Sequence, residues 1–183
     1  MTYKTYPKMK DSGIEWVGEI PEEWLTPSVS KIYDIQLGKM LQPKPESDED
    51  VLIPYLKAEN VHWEHVKTKD LPKMWAKPFE IVKYGVKKGD LLVCEGGEGG
   101  RSAILSTNMG DVIIQNALHR IRSVKNANLQ YLMYNLITCN VANWFDAINN
   151  KATIAHFTKE KFSSLKLLHP SKEEQKQIAK FLD

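Results

Sequence analysis

At 183 residues, 42% of them hydrophobic and 26% charged, the chain carries enough apolar mass for one folded domain, which excludes a disordered or fibrous protein. A formal net charge of +2 excludes nucleic-acid binding through bulk charge, so any polyanion surface has to come from local clustering. Cys94 and Cys139 lack C-x-x-C spacing, MTYKTYPKMK has no apolar signal core, and no apolar run reaches membrane length; a cytoplasmic protein with free thiols is expected.

Residues 1–24 predict an extended, irregular arm. Lys4, Lys8 and Lys10 precede the turn Asp11-Ser12-Gly13, and Trp16 and Trp24 pin the arm to the domain. Ser28 is placed to cap a short helix over 29–35, since Val29, Ile32 and Tyr33 share a helical face. Gly38 ends it, and QPKPESDED (42–50) reads as a solvated loop. From Val51 to Val66 apolar residues near alternation (Ile53, Tyr55, Val61, Trp63) predict a strand, and Pro54 assigns it to a sheet edge. His62 and His65 form H-x-x-H, but zinc takes about four ligands and no second pair stands nearby, so both read as surface histidines.

Between 67 and 88, Lys67, Lys69, Lys73, Lys77, Lys83, Lys87 and Lys88 are interleaved with Trp75, Phe79 and Tyr84. Such a pattern suits a surface that follows a phosphate backbone. It equally suits an amphipathic helix with its aromatics turned inward.

The stretch GDLLVCEGGEGGRSAIL (89–105) reads as two short strands joined by a glycine-rich reversal. It is neither a phosphate-binding P-loop nor a dinucleotide fingerprint, because no Lys-Ser/Thr follows and Ser102 stands where the third glycine belongs. Glu95 and Glu98 repel phosphate, with Arg101 as a partial offset. Val112 to Arg122 predicts one long strand whose alternation breaks at Ala117 or Leu118. The clearest helix runs from Asn128 to Asn149 on a stripe of Leu129, Leu132, Met133, Leu136, Ile137, Val141, Trp144, Phe145 and Ile148. A polar crossing (149–156) follows, then a short helix capped by Thr158 and a last strand at 165–168. Ser171 and Glu174 form a capping box for a final helix, whose apolar edge of Ile178, Phe181 and Leu182 suits a partner.

Catalytic signatures are missing. There is no G-x-S-x-G, no H-E-x-x-H and no N-P-P-Y or D-P-P-Y stretch, and Glu174-Gln175-Lys176 lies on a solvated helix start without a nearby Asp.

Three stretches together resemble the specificity (S) subunit of type I restriction–modification systems: the arm YPKMKDSGIEWVGEIPEEW, GDLLVCEGGEGGRSAIL with the Gln115-Asn116 strand, and LKLLHPSKEEQKQIAKFLD with Pro170, Glu174-Gln175 and Ile178 in place. The resemblance implies a mixed α/β target recognition domain over 1–170, built on a twisted mixed sheet with packed helices, and the start of a spacer helix over 171–183. It also implies a non-catalytic module that reads one part of a bipartite DNA sequence. The expected partners are double-stranded DNA, methyltransferase subunits that carry S-adenosylmethionine, and, indirectly, a restriction subunit that uses ATP; no cofactor or metal is expected on this chain. With one domain and a helix start, the chain is expected to be half a subunit or less, and a homodimer is an alternative assembly.

The family's base-reading residues do not transfer by motif, so the candidates rest on chemistry and placement. They are Lys57 and Asn60 after the edge strand, Arg101 beside the glycine loop, Gln115, Asn116 and His119 on the long strand, and Lys151 and Thr153 in the crossing. Asn and Gln pair bidentately with adenine, and Arg or Lys with guanine. Two rivals stand beside this reading: an assembly module that docks methyltransferase subunits with little DNA affinity of its own, and an enzyme using the glycine loop.

Overall fold

The apolar run of strand β8 (Leu91–Cys94) is the centre of the molecule, and all four of its residues are buried. A computed structural model describes residues 6–125, 127–142 and 157–183. In it β8 lies inside a four-stranded antiparallel sheet of order β3-β11-β8-β9, with β3 at Tyr33–Leu37, β9 at Ser102–Ile104 and β11 at Leu118–Ser123. Leu91 and Val93 face one core, with Ile35, Ile121 and helix α2 (Leu129–Val141). Leu92 and Cys94 face the other, with Leu56, Val61, Ala103, Ile114 and Leu118. A strand covered on both faces needs an unbroken apolar run, and that is how 91–94 reads.

The second core lies against a three-stranded sheet of order β10-β4-β7, comprising β4 (Val51–Leu56), β7 (Lys73–Ala76) and β10 (Ile113–Ile114). Here β4 is the central strand, antiparallel to β7 and parallel to β10, where an edge strand was expected. Pro54 is tolerated because only β7 pairs at its level; β10 joins from Tyr55 onward. The 51–66 stretch does not continue as one strand. It turns at Ala58–Asn60 and closes into a two-residue-deep hairpin, β5 (Val61–His62) with β6 (His65–Val66). Helix α1 (Pro78–Tyr84) packs Ile81 and Tyr84 on the second sheet.

The N-terminal arm forms a hairpin, β1 (Met9–Asp11) with β2 (Glu19–Pro21), where an irregular arm is expected. Trp16 between the strands packs against the first core. The helix expected over 29–35 shrinks to one 3-10 turn, Val29–Lys31, followed by β3. Ser28 makes no side-chain cap bond, and Tyr33 and Ile35 are buried around exposed Asp34 in period two. Five paired residues against β11 outweigh an uncapped helical turn.

The long strand expected over 112–122 is two strands in two sheets, β10 and β11, with a corner at 115–117 where the alternation breaks. Arg120 and Arg122 turn inward from β11. Arg120 donates to the carbonyls of Lys83 and Gly85 at 3.0 and 2.6 Å, and Arg122 grips buried Asp90 at 2.7 and 2.8 Å. The Arg120 bonds tie the four-stranded sheet to the end of α1, and the Arg122 bonds tie β11 to the turn before β8.

Helix α2 is capped by the Asn128 side chain, which accepts from the Gln130 and Tyr131 amides; Trp144, Phe145 and Ile148 lie outside the described residues. Thr158 caps α3 (Lys159–Ser164), and Ser171 with Glu174 makes the capping box of α4 (Lys172–Leu182). The segment 165–169 pairs only through isolated bridges, Ser28 with Lys166 and Leu25 with His169. The arm and the start of α4 are thereby held together, with the Tyr6 hydroxyl donating to Glu174.

Candidate nucleic-acid interface

The corner at 115–117 draws four chain segments to one place. Gln115 N–H donates to the Leu56 carbonyl at 2.9 Å, and Asn116 N–H to the Lys39 carbonyl at 2.9 Å. Lys39 N–H donates to Ile114 at 2.8 Å, and Glu95 N–H to Ala117 at 2.9 Å. The ends of β3, β4 and β8 and the β10–β11 corner therefore meet at a single edge. Gly38 makes the crossing feasible: a Cβ there would sit 2.2 Å from the Gln115 carbonyl oxygen, so no other residue fits.

The side chains at this edge differ in what they are free to do. Asn116 is exposed, and Gln115 and Lys57 are half-buried. The Lys57 ammonium sits 2.6 Å from Glu59, and that hydrogen bond raises its proton affinity, so it stays charged. Lys39 is buried and paired with Glu80 at 2.7 Å. Burial works to raise the Glu80 carboxyl, but Lys39 and the Lys77 amide outweigh it and hold Glu80 below its usual range. Met40 (74% exposed) and Leu41 flank the crossing on the solvent side.

Three candidates are committed elsewhere. Asn60 is buried, and its side-chain oxygen accepts the Lys57 N–H at 3.0 Å, closing the 3-10 turn. His119 has no exposed surface; its Nε2 lies 3.0 Å from the Phe157 carbonyl. Side chains on the middle strand of a two-faced sheet point into a core, which is why a strand position without a face assignment misplaced it. Arg101 donates to the Ala58 carbonyl at 3.1 Å and to Glu98 at 3.3 Å, and so braces the glycine loop against the turn after β4. Lys151 and Thr153 lie outside the described residues.

The glycine stretch forms the expected reversal between β8 and β9. Gly100 N–H donates to Cys94 at 3.0 Å, Cys94 N–H to Arg101 at 2.8 Å, and Trp63 donates its indole N–H to Glu98 at 2.7 Å. His62 and His65 face each other across β5 and β6 with ring centroids 6.5 Å apart. Among the described residues no three metal-binding side chains gather. Nor do 67–88 form one helix. Phe79 and Val82 of α1 point outward, 65% and 83% exposed, because a seven-residue helix buries only the Ile81 and Tyr84 side. On α4 the buried stripe is Gln175 and Ala179; Ile178 is half-buried, while Phe181 (79%) and Leu182 (49%) face solvent.

Residues 21–183, which span both sheets, this edge and α4, match the family model of the type I restriction modification DNA specificity domain. The chain belongs to that family. No curated protein matches it. Solved structures share the fold of this specificity domain. The HsdS subunit from Thermoanaerobacter tengcongensis is 18% identical with a TM-score of 0.64, over 96% of this chain and 39% of that one. The S subunit of a type I restriction-modification system from M. genitalium is 17% identical with a TM-score of 0.57, over 87% and 38%. A chain from a structure described as the basis of complex assembly and conformational transition of the type I R-M system is 17% identical with a TM-score of 0.61, over 91% and 39%. The specificity domain thus spans about two fifths of the length of the chains it matches. No helix among the described residues is long and apolar enough to cross a membrane.

Of the residues that organise the edge, the sequence marks Gly38 only as a helix end and Ala117 only as a break in a strand, and Lys39 not at all. A glycine directly after a strand was the available signal for close backbone approach.

Proposed function

We propose that this specificity domain reads one half of a bipartite DNA target inside a type I restriction–modification complex, as a recognition module and not as a catalyst. The observation that carries the reading is the edge itself: exposed Asn116 beside half-buried Gln115 and Lys57 at the meeting of β3, β4, β8 and β10–β11, in a chain of this family. Asn116 and Gln115 would pair with adenine edges, and Lys57 would contact guanine or phosphate. Arg101 would act by holding the loop, with Asn60 and His119 behind the surface; Lys151 and Thr153 remain candidates in the segment before Phe157.

Exposed Phe181 and Leu182 beside Ile178 favour docking of α4 on a partner helix. That partner is a methyltransferase subunit, which supplies S-adenosylmethionine, or a second copy of this chain. A restriction subunit using ATP would join through the assembly. The test is fluorescence anisotropy on duplex DNA across a salt series, for the chain alone and reconstituted with methyltransferase subunits. Binding above background only in the assembly supports recognition with obligate partners; none in either state removes the DNA reading.

A further inference from the structure

His119 is fully buried near the start of β11, where it places a polar ring inside the core. Its Nε2 lies 3.0 Å from the Phe157 carbonyl, an acceptor only, so Nε2 must carry the proton and donate. Its Nδ1 is buried without a hydrogen-bond partner. The same Phe157 is held from the other side: its N–H donates to the Glu95 carbonyl at 2.7 Å. Its ring packs on Phe162 at 4.9 Å, and Phe162 packs on the His119 ring at 5.8 Å. Gly99 completes the enclosure, since a Cβ there would lie 3.0 Å from the Phe157 Cβ. Glu95 in turn donates its N–H to Ala117, next to Asn116. One continuous set of bonds therefore runs from His119 through Phe157 and Glu95 to the corner that displays Gln115 and Asn116.

We propose that His119 is a positioning residue for base reading: through Phe157 it clamps the glycine loop, and through Glu95 the loop sets the place of the 115–117 corner. The inference rests on the DNA-recognition reading. A buried leucine in place of His119 would pack, but it would remove the Nε2–H donor from the Phe157 carbonyl and loosen the loop. A glutamine would restore the donor.

The experiment selects duplexes from a randomised library with the full chain reconstituted with methyltransferase subunits, and follows amide exchange at Phe157. Wild type is expected to enrich a motif. H119L and G99A should each reduce the preference for that motif over random duplex by about tenfold, the scale of one weakened base contact. Affinity for random duplex at the same salt should stay unchanged, and Phe157 exchange should speed up. H119Q should retain the preference. If H119L does not fold, G99A decides, because it disturbs the same clamp without touching the buried ring. A motif that survives intact in G99A and in folded H119L overturns the proposal alone. A wild-type chain that enriches no motif overturns the recognition reading and the proposal with it.

Discussion

Asn116 and Gln115 sit side by side at the corner, but their backbones are fixed by different strands, through Lys39 and Leu56 respectively. Replacing either by Ala leaves those bonds intact, so the fold should hold while base preference relaxes by about 1–3 kcal/mol per lost bidentate contact. Competition binding against single-base variants of the enriched motif checks this; equal loss on every sequence would assign both residues to the phosphate backbone. Gly38→Ala should behave in the opposite way. Its Cβ would meet backbone at 2.2 Å, which cannot move without opening the corner, so stability should fall by about 3 kcal/mol or more in denaturant melts.

Protonation gives a further test at the same scale. Burial pushes His119 below its ordinary value of 6.5, with Lys159 lowering it further, while the Phe157 carbonyl and Glu160 act the other way. The neutral form is thus favoured on folding. Its contribution to stability is full above pH 6.5 and is lost progressively as pH falls below it. His169 is lowered too, first by burial and then by Lys125, so it adds to the same slope. Thermal melts between pH 7 and 5 should show a shallower loss of stability in H119Q than in wild type.

At the scale of elements, Arg120 joins β11 to the carbonyls at the end of α1, and the Asp90–Arg122 pair joins β11 to the turn before β8. Asp90 is almost fully buried, so Asp90→Ala would strand a partly buried guanidinium, at a cost of about 3 kcal/mol measured by chemical denaturation. Helix α4 differs, because its fold contacts are made by Gln175 and Ala179 and by the Asp183 carboxylate, which accepts from Gln130 and Tyr134, while Phe181 and Leu182 face solvent. Phe181→Ser with Leu182→Ser should therefore leave the melting temperature within about 2 °C, given that exposed substitutions are usually worth under 0.5 kcal/mol. The same pair should weaken association with methyltransferase subunits, read by analytical ultracentrifugation. These elements also show where local reading succeeded. The capping box at Ser171 and the cap at Thr158 are short-range bonds, settled within four residues, and both stand in the structure. The 29–35 helix failed because a period-two reading of Tyr33 and Ile35 was equally available, and only β11 chose between them.

For the whole molecule, DNA binding by a chain of net charge +2 has to rest on a small number of local cations. Several of its cations are already engaged: Lys39 with Glu80, Arg101 with Glu98 and Arg122 with Asp90. The isolated chain should accordingly show a shallow salt dependence, with a steep one appearing only when partner subunits add their own phosphate contacts. A steep slope for the chain alone, measured by anisotropy, would shift the phosphate contacts back onto this domain.

From its sequence alone the chain disclosed its class, its buried strand at 91–94, the glycine reversal, the caps at Thr158 and Ser171 and the family, because each is written in local order or in short motifs. Tertiary structure alone decided which polar residues face solvent. Asn60, Arg101 and His119 have the right chemistry for bases, but a strand or turn residue has no face until its neighbours are in place. Pairing of β11 on both sides turned His119 inward, and the crossing of Gly38 under Gln115 turned the break in one expected strand into the corner where Asn116 is exposed.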